Sequence, residues 1–66
     1  SLPLTEEQID EAHEWAGRTI AEAVPKNVLV VLIKRGGKTK IPNGNSVIQA
    51  GDVLVIHTAE RELIEN

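Results

Sequence analysis

Six consecutive branched or apolar residues, Val28 to Ile33, run directly into Lys34-Arg35-Gly36-Gly37. An unbroken apolar run of this length, closed by a turn signal, predicts a strand covered on both faces. Adjacent glycines accept positive φ without a steric penalty, so the chain reverses there and Lys38 to Ile41 returns antiparallel. Pro42-Asn43-Gly44-Asn45 and Ala50-Gly51-Asp52 mark two further turns, with Gly51 taking a backbone angle closed to other residues and Asp52 accepting turn amides. Val53 to His57 then repeats the buried-strand pattern, and Glu60 to Ile64 reads as a short closing helix with Leu63 and Ile64 turned inward.

The period changes upstream of Val28. Thr5-Glu6-Glu7-Gln8 has the spacing of a capping box, and Ile9, Ala12, Trp15 and Ala16 follow at helical intervals, so local signals read as a helix from about Glu6 to Trp15. Gly17 interrupts that pattern, at about 1 kcal/mol relative to Ala in a helix interior. Thr19 offers a cap for a second short helix, with Ile20, Ala21 and Ala23 inward, until Pro25 stops it. The fold class predicted is α+β, a small and mostly antiparallel sheet with one or two short helices. No internal repeat divides residues 1–66, which read as a single domain, and a start at Ser1 rather than Met points to a piece excised from a larger protein.

Composition narrows the function classes. A chain of 66 residues buries only about 60% of its unfolded surface, so its core is marginal and help from a partner chain is expected. There is no cysteine, which excludes disulfides, a thiol nucleophile and Cys-containing zinc sites. The longest apolar run falls far short of the roughly 20 residues that cross a bilayer, so no direct membrane insertion is expected. Net charge is −3, yet residues 1–24 hold six acids against Arg18, whereas residues 25–45 hold Lys26, Lys34, Arg35, Lys38 and Lys40 with no acid. Such a split steers anionic ligands or acidic neighbours, or simply faces water.

Candidate chemical motifs fail on spacing. Gly37-Lys38-Thr39 lacks the first glycine of a phosphate loop, since position 32 is Leu32, and a strand rather than a helix follows it. His13-Glu14 begins like a zinc-protease helix, but the second histidine would stand at Gly17. Ser46 and Thr58 sit in no nucleophile elbow. The sequence therefore reads as no enzyme, with no catalytic residues and no metal site. Nucleic-acid binding is disfavoured by net acidity and by the absence of aromatic platforms beside the basic residues.

The order of elements in "VLVVLIKRGGKTKIPNGNSVIQAGDVLVIHTAE", with "EWAGRTIAEA" before it, resembles the TrkA-C domain, the C-terminal half of the RCK module. Gly17, Ile20, Val28 to Ile33, Arg35-Gly36-Gly37, Ile41-Pro42, Val47 or Ile48, and Gly51-Asp52 carry the resemblance over about residues 14–60. The family places a strand before the glycine-opened helix, which favours an extended Glu7 to Ala12 over the local helix signal. The resemblance implies a cytoplasmic, non-catalytic module that forms a homodimer and regulates a bacterial cation/proton antiporter or potassium-transport system, its parent protein in the inner membrane. Some relatives bind cyclic di-AMP between two copies. Carried over residue by residue, that ligand site would use Ile20, Lys26, Asn27, Val28, Leu29 and Pro42. The relatives' Asp-x-Arg step has no counterpart, because the loop Glu22 to Lys26 is too short, and Lys26 supplies the charge without an arginine's planar fork. The alternative is a dimerisation or ligand-binding module of a soluble protein such as a transcription regulator.

Overall fold

A computed structural model describes residues 2–60 of the chain. Four strands, β1 (Thr5–Gln8), β2 (Val28–Arg35), β3 (Lys38–Lys40) and β4 (Val53–Thr58), form one antiparallel sheet in the order β1-β4-β2-β3. One short helix, α1 (Ile20–Ala23), precedes β2. The closing helix expected over Glu60 to Ile64 lies outside the described residues but for Glu60.

The local reading of Glu6 to Trp15 as a helix is overturned. Thr5–Gln8 is a strand, paired with β4 from Thr5↔Ile56 to Gln8↔Val53. Backbone pairing along a preformed neighbour satisfies these amides at once, whereas an isolated helix of this length must first form an unfavourable nucleus. The extended segment also lies earlier than Glu7 to Ala12, because Asp10 Oδ1 accepts the Ala12 amide (2.9 Å) and bends the chain after Ile9. The second helix forms where expected. Thr19 Oγ1 accepts the Glu22 amide and the Glu22 side chain accepts the Thr19 amide, each at 3.2 Å, a complete capping box.

β2 hairpins into β3 through Gly36 and Gly37, whose φ angles are +57° and +78°. Its register against β4 slips between Val30 and Leu32, a bulge at Val31 that keeps Val28, Val30 and Ile33 aligned with Thr58, Ile56 and Leu54 on one face. That face carries the core, in which Ile9, Ile33, Ile48, Leu54 and Ile56 are buried and Trp15, Ala16, Ile20, Ala23 and Val24 pack against them. The loop over 42–49 closes the same face by pairing with the 17–21 segment: Ile48 N–H bonds Arg18 O (2.8 Å), and Gly17 N–H bonds Ile48 O (2.7 Å). Among residues 2–60 the expected cover is present on one sheet face only. The outer face presents Leu29, 43% exposed, beside the half-buried Leu32, Val53 and Val55, with no helix over it among the described residues.

Candidate functional site

The first turn of α1, the entrance of β2 and the Pro42–Gly44 turn meet around a cleft of about 220 Å³. Ile20, Val28, Leu29 and Pro42, four of the six residues expected to form a ligand site, line it. Backbone hydrogen bonds hold its walls together: the Ile20 and Ala21 amides donate to Ser46 O and Gly44 O, both at 3.0 Å. These are the amides that a helix start leaves without intrahelical partners, so the turn and the helix satisfy each other. Within the turn, Asn43 Oδ1 accepts the Asn45 amide (2.8 Å) and Ser46 Oγ accepts the Asn43 amide (2.9 Å). The walls are chiefly apolar side chains, which suits the flat face of a planar ring more than a bare charge.

Lys26 and Asn27 are not among the cleft's lining residues. Lys26 is exposed in the turn before β2, whose end is tied by the Val28 amide to Pro25 O (3.0 Å). Asn27 is committed elsewhere, its Nδ2 donating to Ala59 O (3.1 Å) and its carbonyl accepting the Ala59 amide (2.8 Å), which fastens the entrance of β2 to the exit of β4. Val30, Asn43 and Gly44 also line the cleft, although sequence reasoning did not assign them there. The only signal for the last two is that an Asn-Gly turn directly follows Pro42.

The electrostatic centre of the domain lies at the far end of β2. Asp52, 1% exposed, accepts from Arg35 Nε and Nη2, both at 2.8 Å, and from the Gln49 amide at 2.9 Å. These hydrogen bonds, the Arg35 pair first, hold the Asp52 carboxyl below its ordinary range against the opposing effect of burial. The same pair raises Arg35 above its usual value. Both histidines make hydrogen bonds. His13 Nε2 donates to Glu7 Oε2 (2.8 Å) while Nδ1 accepts the Trp15 amide (3.0 Å), so both ring nitrogens are engaged. His57 Nδ1 donates to Pro3 O (2.8 Å). Among the described residues no group of three His, Asp or Glu side chains is placed to hold a metal ion, and no helix is long and apolar enough to cross a membrane.

Comparison with known proteins agrees with this architecture. The chain is 34% identical over 67 aligned positions to a Trk system potassium uptake protein TrkA homolog of Archaeoglobus fulgidus, an alignment that covers 97% of this chain but only 15% of the relative. Among solved structures, the RCK_C domain dimer of S. agalactiae BusR in complex with c-di-AMP superposes with a TM-score of 0.75 at 28% identity, covering 89% of this chain and 83% of that one. S. agalactiae BusR in complex with its busAB-promotor DNA gives the same TM-score and identity, with 31% of that longer chain covered. A glycine-opened short helix, a four-stranded antiparallel sheet and a match of residues 4–65 to the family model lead to one conclusion: the chain belongs to the TrkA-C domain family, a family of regulatory domains.

Proposed function

We propose that this chain is the cytoplasmic, non-catalytic regulatory domain of a bacterial cation/proton antiporter or potassium-transport protein. Two copies pair and hold cyclic di-AMP, or a similar anionic dinucleotide, between them. The observation that carries this reading is the convergence of Ile20, Val28, Leu29 and Pro42 on a single cleft. At about 220 Å³ the cleft is smaller than an ordinary small-molecule site, but two such clefts facing each other reach the usual range of about 300 to 1,000 Å³. A ligand made of two equal halves matches an interface made of two equal chains. The BusR domain dimer that holds c-di-AMP supports this ligand, and the TrkA homolog supports the transport context. Lys26, at the entrance of β2, supplies positive charge toward a phosphate, and Asn27 keeps that entrance fixed. Regulation then requires only that the ligand favour one arrangement of the paired chains over another.

A second reading, a sensor domain in a soluble transcription regulator, is favoured by the promoter-bound BusR structure. That relative also removes composition as a ground for excluding nucleic acid as a partner of the parent protein. Several long apolar segments elsewhere in the parent would support the transporter, and a DNA-binding segment the regulator.

Calorimetric titration with cyclic di-AMP tests the ligand. One dinucleotide per two chains is expected, with Leu29→Asp abolishing the heat, because Leu29, 43% exposed at the entrance of β2, stands at the edge where the cleft meets the open outer face and is no core residue. Lys26→Ala weakens binding through charge, and Asn27→Ala weakens it by loosening the strand entrance. A flat thermogram at millimolar dinucleotide would sink the proposal.

A further inference from the structure

Pro42 is a partition. On its other side, between β3 and the 46–49 segment, lies a second cavity of about 240 Å³, with Ile33, Ile41 and Val47 as apolar walls and Arg35, Lys40, Ser46 and Gln49 as polar ones. No carboxylate of the described residues lines it. Asp52 stands behind Arg35 and neutralises that guanidinium while fixing its orientation, and Arg35 Nη2 also donates to Val47 O at 3.0 Å. The fork is therefore rigid, and Nη1 takes part in no hydrogen bond among the described residues.

Lys40 is the net positive charge of the cavity. It joins none of the ion pairs among the described residues, which involve Glu7, Glu6 and Asp52 with His13, Lys34 and Arg35. Ser46 Oγ already accepts the Asn43 amide, which leaves its own proton to donate. Ile41, 86% exposed, and Val47, 44% exposed, form an open apolar rim. One ammonium outside the ion pairs of the described residues, a hydroxyl donor and a branched aliphatic rim within a small concave space define a chemical class: a single negative charge attached to a short apolar body.

We propose that this cavity binds a small organic carboxylate with a branched aliphatic body. The Lys40 ammonium and the Ser46 hydroxyl hold the carboxylate, and Ile41 and Val47 cover the body. A phosphate dianion is a poorer match, because the cavity offers one net positive charge and its rim is apolar. The site shares only Pro42 with the dinucleotide cleft and does not depend on it.

Titration of the ¹⁵N-labelled chain with isobutyrate, acetate and inorganic phosphate at matched ionic strength tests the assignment. Isobutyrate is expected to shift the amides of Lys40, Ile41, Ser46 and Val47 along a saturating curve with a midpoint on the order of millimolar. Acetate, which lacks the branched body, binds several-fold more weakly. Lys40→Gln and Ile41→Ser, both at exposed positions, weaken isobutyrate about tenfold and about threefold respectively, the removed charge counting for more than the removed methyl groups. No saturable shift at several tens of millimolar, an unchanged response in Lys40→Gln, or a phosphate response as strong as that to isobutyrate would each overturn the proposal.

Discussion

Asp52 is the buried charged side chain among the described residues, and both of its oxygens are occupied by Arg35 and the Gln49 amide. Removing one member of a buried pair leaves the other without its partner, at about 3 to 5 kcal/mol. Arg35 is 27% exposed and rehydrates in part, so Asp52→Ala is expected near the lower end, about 3 kcal/mol in urea denaturation. That is a large share of the roughly 3 to 10 kcal/mol available to a chain of this size. The pH dependence has a definite sign. The folded carboxyl titrates below its unfolded value of about 3.9, so its contribution is complete above that pH and disappears as pH falls through the lower folded value. Stability followed from pH 6 downward should fall steeply in that acid window in the wild type and less steeply in Asp52→Asn. In the sequence, Ala50-Gly51-Asp52 announces a turn, and the structure bears this out with a Gly51 φ of +96° and the Gln49 amide on Asp52. Arg35 as the partner is not legible, because it stands 17 positions away. Only the register Lys34↔Val53 between β2 and β4 brings Arg35 and Asp52, the next residues along, together.

At the scale of elements, one spacing has two outcomes. Thr5-Glu6-Glu7-Gln8 and Thr19-Ile20-Ala21-Glu22 both present a hydroxyl three residues before a Glu or Gln, yet the first is β1 and the second caps α1. What separates them is non-local: β4 offers a row of free backbone groups to the first, while the second is anchored by Gly44 O and Ser46 O of the facing turn. The sequence carries the motif but not the neighbour that decides its use. Thr19→Ala is therefore expected to cost about 1 kcal/mol in chemical denaturation, the usual loss of a cap. Thr5→Ala, at an exposed position outside any cap, should stay within about 0.5 kcal/mol. The hairpin Val28–Lys40 was legible from its apolar run and paired glycines, whereas the bulge at Val31 was not, since an unbroken apolar run shows no alternation to interrupt. Of the six residues expected around a ligand, Ile20, Val28, Leu29 and Pro42 line one cleft, while Asn27 serves the β2 and β4 ends through Ala59.

At the scale of the molecule, the buried core among the described residues comprises Ile9, Ile33, Ile48, Leu54 and Ile56, and the outer sheet face keeps Leu29 open to water. A domain this thin gains from any surface that covers its apolar remainder, and a partner that binds only the folded chain raises stability by mass action. The thermal midpoint of the isolated domain is expected to rise with protein concentration, in parallel with a monomer–dimer shift in sedimentation. A midpoint constant over a hundredfold range would argue against pairing. Charge is arranged on the same scale, since the sheet order sets Glu6 and Glu7 of β1 and Lys38 and Lys40 of β3 on opposite edges. The Lys34–Glu6 contact across β4 (2.6 Å) involves two half-exposed side chains and adds at most about 1 kcal/mol. The adjacency of β1 and β4 has a mechanical corollary: Thr5 lies opposite Ile56, so the start of the first strand and the end of the last share one end of the sheet. A tension applied between residues 2 and 60 loads their ladder bonds one after another, like a zip, instead of all together in shear. Single-molecule extension should accordingly record rupture of β1 at low force, before the β2–β4 pair gives way.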